Sequence, residues 1–336
     1  MLSLLCPIIS LARAPFRPKH NNAYTLLLHG IGAEQSKYLQ QKFPREHYTS
    51  YIGASYVKDV EASGARVVPL ITIMLLMFNS RVLLPGGATY FNQSNGFADA
   101  GQHIYDIALQ MNAGGDYFPI FGTCLGFELL IILASRRESG ENRVPCYSFK
   151  SLPLQFTKNR SYSLFFTSLA HTPLQFRLGE QPSSYYVNDL LIFQNLISHN
   201  LTNDWRITSH SVDDNGTQFI ASMEHKRYPF YGVQFHPEKS AFEWKASKQY
   251  PHTANAIRAN RYFMDFFVNE CRKSSHCFIN TTEENEYLIY NYTPVFTAPV
   301  GSALQQCYFF EPRGETKGPL DENNDLESTI YQLEQM

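Results

Sequence analysis

The chain has 336 residues, 44% hydrophobic and 17% charged, a globular composition that excludes a disordered polymer, a collagen-like repeat and a coiled coil. Its 28 Lys and Arg against 30 Asp and Glu leave a formal charge of −2, so no basic excess points to nucleic acid or an anionic membrane as the main partner. Six cysteines are too sparse for a disulfide scaffold.

The N-terminus is apolar from Leu2 to Leu11, and Ala12-Arg13-Ala14 resembles a small-residue cleavage site. Two readings stand here: a secretory signal without its positive n-region, or a buried first strand from Cys6 to Leu11. Residues 15–50 carry Pro15, Pro18, Asn21-Asn22 and a short Leu26-Leu27-Leu28 run. They are expected to be a surface insertion or loose arm, so that 1–50 forms an irregular N-terminal segment. Over residues 51–63 the apolar positions Ile52, Tyr56, Val57 and Val60 have helical spacing, and Gly64 supplies a stop. Arg66-Val67-Val68 then reads as a strand, and helix followed by strand is the alternation of an α/β fold. The apolar run from Val67 to Phe78 contains Pro69 and falls short of the roughly 20 residues that cross a bilayer.

Val82-Leu83-Leu84 reads as a strand running into Pro85-Gly86-Gly87. Residues 97–111 have helical spacing at Ile104, Ile107, Ala108 and Met111, 117–121 are β-prone, and 127–134 form an apolar helix. Residues 218–222 and 228–235 read as two strands joined by a polar turn. Residues 254–271 form a long amphipathic helix burying Ile257, Tyr262, Phe263, Phe266 and Phe267. From Glu311 to Met336 there are seven acids against two bases, so 311–336 is expected to be an acidic, disordered tail.

Chemistry concentrates at three points. Gly122-Thr-Cys124-Leu-Gly126 sits between a predicted strand and a predicted helix. A Gly-x-nucleophile-x-Gly element there makes a tight, strained turn that holds the nucleophile above the helix N-terminus. The helix dipole and free N–H groups favour a thiolate at that place. Next, Tyr231-Gly-Val-Gln-Phe-His236-Pro-Glu238 puts a histidine at a strand end, with an acid two residues on to fix its tautomer. Third, Pro85-Gly86-Gly87 ends a strand in a turn whose amides are suited to an oxyanion, alongside the N–H of Leu125. Each element has an ordinary structural reading; in combination they make a cysteine acyl-transfer site.

Phe121-Gly-Thr-Cys-Leu-Gly-Phe-Glu128, Tyr231-Gly-Val-Gln-Phe-His-Pro-Glu-Lys239 and Tyr51-Ile-Gly-Ala-Ser-Tyr-Val-Lys58 resemble the γ-glutamyl hydrolases, the folate-polyglutamate hydrolases of the class I glutamine-amidotransferase superfamily. The likeness extends through Gly64-Ala-Arg-Val-Val-Pro69, Asp116-Tyr-Phe-Pro119, Phe242-Glu-Trp-Lys245 and Gln306-Cys-Tyr-Phe-Phe310 and spans most of 51–310, the catalytic domain. It implies an α/β, flavodoxin-like class I glutamine amidotransferase-like domain, with a central, mostly parallel sheet flanked by helices. It also implies cleavage of γ-glutamyl bonds in folyl-poly-γ-glutamates through a thioester. By the same resemblance Cys124 is the nucleophile, His236 the general base and acid, and Glu238 its orienting group. Gly87 and Leu125 match the oxyanion donors, Tyr56 a substrate-side tyrosine and Glu128 a pocket acid. From its spacing alone Tyr56 reads equally as a core-facing helix residue, and Glu128 as a first-turn acid complementing the helix dipole.

Three stretches depart from the family pattern. Pro7-Ile8-Ile9 is separated from Tyr51 by unmatched residues, only 69–81 lies where a crossover helix is expected, and 177–186 lacks the family's substrate-side His before a Trp. A parallel crossover takes a dozen or more residues, so the helix is expected to be stunted or absent and the Gly86-Gly87 turn loosened. Competing readings are a glutaminase that hands ammonia to an acceptor, and a catalytically weak homologue that only binds ligand.

No cofactor is expected, and the 11 scattered histidines offer no metal-ligand spacing. Cys271, Cys277 and Cys307 lie near the C-terminus, where a disulfide and free thiols both remain open. Six Asn-x-Ser/Thr sequons, at Asn92, Asn159, Asn200, Asn215, Asn280 and Asn291, exceed the two or three that chance would supply (roughly). They favour the secretory route and so a lysosomal or secreted location. The partners expected are a small-molecule substrate and at most a second copy of the chain, with no nucleic acid and no membrane.

Overall fold

Short β-branched and aliphatic runs, too brief for helices, build the central sheet. The computed structural model describes residues 23–28, 30–31, 48, 50–70, 81–87, 91, 97–136, 144–145, 151–157, 163–167, 184–185, 189–190, 196–197, 200–248 and 250–310. In chain order the elements begin with β1 (Ala23–Leu28), β2 (Gly30–Ile31), β3 (Ser50–Gly53), α1 (Ala54–Ala62), β4 (Ala65–Leu70) and β5 (Val82–Leu84). Then come α2 (Phe97–Ala113), β6 (Ile120–Thr123), α3 (Leu125–Ala134), β7 (Val144–Pro145), β8 (Ser151–Leu152), β9 (Gln155–Phe156) and α4 (Leu164–Thr167). The remainder comprises β10 (Ser184–Tyr185), β11 (Asp189–Leu190), β12 (Trp205–Val212), β13 (Gln218–His225), β14 (Phe230–Val233), α5 (Lys239–Phe242), α6 (Ala254–Cys271), α7 (Thr281–Tyr287), β15 (Val295–Phe296) and β16 (Gln306–Phe310).

Eight strands form one sheet in the order β4-β1-β5-β6-β14-β13-β12-β9. The pairings from β4 through β14 are parallel, and those from β14 to β9 are antiparallel. Strand alternation sorts the core into two layers. Leu83, Phe121 and Tyr231 share one row of the register and pack with Val57 and Val60 of α1 and Phe263 and Phe267 of α6. The neighbouring row, Val82, Ile120 and Phe230, packs with Ile104 and Ala108 of α2 and Leu129 and Leu133 of α3. Each wholly buried Phe of these layers contributes about 1.5–3 kcal/mol relative to exposure. Helices thus cover both faces, the α/β arrangement expected from the resemblance.

Two local expectations are corrected. The Leu26-Leu27-Leu28 run is no part of a loose arm. It belongs to β1, which pairs in parallel with β4, Leu26 opposite Val68, and with β5, Leu26 opposite Val82. A strand paired on both edges carries no alternation for periodicity to detect. Residues 51–53 lie in β3 rather than in the following helix. β3 pairs with β16, Tyr51 opposite Phe309, in a second sheet of order β15-β16-β3-β2. The Ile52–Tyr56 spacing counted as helical therefore bridges a strand and a helix.

Arg81, buried at the start of β5, donates from Nε to the Cys271 carbonyl at 2.6 Å and from a terminal nitrogen to that of Ser274 at 2.9 Å. It thereby ties the sheet to the C-terminal end of α6, where a cation complements the exposed carbonyls. Cys271, Cys277 and Cys307 are free thiols. No helix among the described residues is long and apolar enough to cross a membrane. The Cys6 to Leu11 segment, the crossover between residues 70 and 81, the acidic tail 311–336 and, apart from the backbone of 184–185, the stretch 177–186 lie outside the described residues.

Candidate active site

Residue 124 alone makes the turn between β6 and α3. Cys124 takes φ 51° and ψ −111°, a conformation that costs a side-chain-bearing residue about 1–3 kcal/mol and persists only when surrounded by stronger constraints. Two such constraints are visible. The Cys124 amide donates to the Val233 carbonyl at 2.8 Å. A Cβ on Gly126 would stand 2.1 Å from the Leu84 carbonyl oxygen, so α3 reaches β5 only where there is no side chain.

The other half of the site leaves the end of β14. Past Val233 the chain bonds once more to β13, Gln234 N–H to the Ala221 carbonyl at 2.9 Å, and then presents His236. His236 Nδ1 lies 2.8 Å from Glu238 Oε1 and 3.1 Å from the Tyr56 hydroxyl oxygen. Tyr56 in turn accepts the Gly86 N–H at 2.9 Å. A methyl group on Gly86 would fall 2.6 Å from the Tyr56 oxygen, 2.7 Å from His236 Cε1 and 3.2 Å from Cys124 Cβ. Four chain segments therefore converge at Gly86, where Cys124 Cβ and His236 Cε1 both approach one point. All four side chains, Cys124, His236, Glu238 and Tyr56, are buried.

Electrostatics assign the protons. Burial raises the Glu238 carboxyl, but the charge and hydrogen bond of His236 outweigh it and hold Glu238 below its ordinary value. A carboxylate only accepts, so His236 Nδ1 donates to it and Nε2 keeps its lone pair for the thiol. Burial, with the negative charge of Glu238 nearby, keeps the Tyr56 hydroxyl well above the usual phenol value. Burial, aided by Lys239, lowers His236 against the pull of Glu238. The resting thiolate expected at position 124 is not favoured. Burial and Glu128 raise the thiol and outweigh Lys239 and the Leu125 amide, which favour the thiolate.

The sequence-derived residues are brought together unequally. Leu125 follows Cys124 directly, and its amide favours the thiolate. Glu128 lies one turn along α3 and accepts from Gln234 Nε2 at 2.7 Å, which ties the helix to the His236 segment. Gly87 is exposed, and the glycine packed against Cys124 and His236 is Gly86. Residues not singled out from sequence are Gly86, Lys239 and Glu243. Lys239 is a buried cation at the start of α5, and its position directly after Glu238 was the available signal. Glu243 accepts the Gln305 N–H at 2.7 Å and is raised by burial to about 7. No group of three or more metal-ligating side chains occurs among the described residues.

The chain is similar to known proteins over most of its length. Residues 81–248 match the glutamine amidotransferase class-I family. The γ-glutamyl hydrolase of Homo sapiens is 34% identical over 319 residues, 92% of this chain and 96% of the human one. That of Mus musculus is 38% identical, with 78% of this chain and 83% of the relative covered. γ-Glutamyl hydrolase B of Dictyostelium discoideum is 34% identical, with 81% of each covered.

Proposed function

Since the chain belongs to the γ-glutamyl hydrolase family and carries a class-I glutamine amidotransferase domain, it is a γ-glutamyl hydrolase, and we propose that it works through Cys124, His236 and Glu238. The observation that carries this reading is the convergence of Cys124 Cβ and His236 Cε1 on the same face of Gly86.

In the proposed cycle the γ-carbonyl of a glutamyl residue sits beside Cys124. As Sγ attacks, His236 Nε2 takes the thiol proton, because the thiol is not ionised at rest. The tetrahedral oxyanion accepts from the Leu125 amide. The Gly86 amide is already engaged by Tyr56, which leaves Gly87 as the donor on the opposite side. Collapse expels the amine, which receives its proton from His236 and leaves a γ-glutamyl thioester. Water, deprotonated by the same imidazole, then hydrolyses the thioester and restores the thiol. Glu238 holds the imidazole and stabilises its cationic form, as the acid of a triad does.

The substrate class proposed is folyl-poly-γ-glutamate. A lysosomal or secreted location is supported by the sequon asparagines 200, 215, 280 and 291, all of which are exposed. Glutamate release from a poly-γ-glutamate by purified chain, beside Cys124→Ala, tests the assignment. Equal rates in the two would remove the nucleophile. Ammonia from glutamine, without glutamate from the chain substrate, would favour a glutaminase.

A further inference from the structure

The segment that delivers His236 continues into a second feature. Glu238 precedes α5, and Phe242 and Trp244 at its far end form one wall of a surface pocket of about 270 Å³. Lys58 of α1 and Phe296 and Gln306 of the β15–β16 hairpin line the rest. Both helical walls start from the catalytic site. α1 carries Tyr56 two positions before Lys58, and four residues of α5 amount to about 6 Å of rise from Glu238. Glu243 holds the hairpin wall through its bond to the Gln305 amide.

Two large aromatic side chains stand in water at this pocket, Trp244 at 61% exposure and Phe296 at 59%. Clustered exposed aromatics mark binding surfaces more often than isolated ones do. Trp244 is held in place. One indole face stacks on the His252 ring at 3.9 Å with an interplanar angle of 4°, and His252 Nδ1 donates to the Ser240 carbonyl at 2.9 Å. The other indole face is thus a fixed platform on which a second ring stacks at little entropic cost. Lys58, which donates to Gln306 Oε1 at 2.6 Å, is the one charged side chain among the described lining residues, and its sign suits a carboxylate.

We infer that this pocket is the subsite for a planar aromatic group at the end of the γ-glutamyl chain, with Trp244 stacking on the ring and Lys58 facing a chain carboxylate. The inference rests on the γ-glutamyl reading above and adds how the enzyme distinguishes a capped chain from a bare one.

The test compares tri-γ-glutamate with the same chain bearing an N-terminal 4-aminobenzoyl cap. The wild-type enzyme is expected to have the lower KM for the capped chain. Trp244→Ala reduces that advantage about tenfold, the scale of one lost ring stack, and Trp244→Phe retains part of it. Lys58→Ala raises KM for both substrates. Tyr290→Ala, which removes an equally exposed ring outside the pocket, leaves the ratio unaltered. Fluorescence gives a readout independent of turnover. Of the two tryptophans Trp205 is buried, so binding of the capped chain to Cys124→Ala is expected to quench the exposed Trp244. Intact hydrolysis with the same capped-to-bare ratio in wild type and Trp244→Ala, or no quenching, overturns the subsite alone. Hydrolysis of neither chain by the wild type overturns the γ-glutamyl reading and the subsite together.

Discussion

The amide of Cys124 donates to the carbonyl of Val233 at 2.8 Å. The turn that bears the sulfur and the strand that leads to His236 are therefore one hydrogen-bonded unit. The strained backbone at residue 124 is maintained by this bond and by the close packing of α3 on β5, not by the cysteine side chain.

Cys124→Ala is accordingly expected to fold normally and to lose at least about a thousandfold in kcat, the scale for removing one member of a nucleophile–base unit. Circular dichroism and glutamate-release kinetics check the two halves. Unfolding of the variant would count against the backbone account.

Glu238 accepts the His236 Nδ1 proton at 2.8 Å, whereas the Tyr56 oxygen lies farther from that nitrogen, at 3.1 Å, so loss of the carboxylate is expected to exceed that of the tyrosine hydroxyl. Glu238→Gln should reduce kcat by about 100- to 10,000-fold, because a carboxamide no longer enforces the Nδ1–H tautomer. Tyr56→Phe should cost about tenfold, one positioning hydrogen bond. Steady-state kinetics of the pair decides the ranking.

Two glycines carry different burdens. Gly86→Ala inserts a methyl group within 2.7 Å of His236 Cε1 and should suppress activity while the protein stays folded. Gly126→Ala drives a methyl group onto the Leu84 carbonyl and should destabilise the fold by about 3 kcal/mol or more, beyond an ordinary overpacking cost of about 1–3 kcal/mol. Denaturant midpoints separate the two outcomes.

His236 is neutral below its ordinary titration range, by burial first and then Lys239. The acidic limb of kcat/KM should thus lie below pH 6.5, the unperturbed value. Lys239→Met removes one depressing charge and should move that limb upward in pH. Alkylation of Cys124 by iodoacetamide should rise steadily on the alkaline side, as befits a thiol raised by burial.

A second histidine makes stability depend on pH. His225 Nδ1 accepts from the Arg227 and Tyr228 amides at 3.1 and 3.0 Å, and burial lowers its pKa from 6.5 to about 4. Between those values the unfolded chain binds the proton and the folded chain does not. Stability is therefore expected to fall as pH drops from 6.5 to 4. Thermal unfolding followed against pH should lose part of that slope in His225→Gln.

Features confined to a few consecutive residues were legible in the sequence. The helix Ala254–Cys271 matches its predicted bounds, since an amphipathic run of 18 residues has one solution. The Gly-Thr-Cys-Leu-Gly turn and the His-Pro-Glu spacing named the proposed nucleophile, base and orienting acid. Covalent geometry fixes such neighbours, and only glycine tolerates the close approach at residue 126. The fate of Leu26-Leu27-Leu28 was not legible, because a short apolar run is the same string in an arm or in a parallel strand. Nor was the glycine that meets the pair. Gly86 and Gly87 are indistinguishable as letters, and the contact of Gly86 depends on how Tyr56 of α1 comes over the β5 turn.

By itself, then, the order of residues determined the reactive groups and the turns that present them. Tertiary structure alone decided their meeting and their charge states. The parallel register that sets Gly232 against Gly122 and Val233 against Thr123 brings positions 124 and 236 together. Burial then raises the thiol and lowers the imidazole. Both effects arise from water excluded between distant segments, and no local spacing encodes that exclusion.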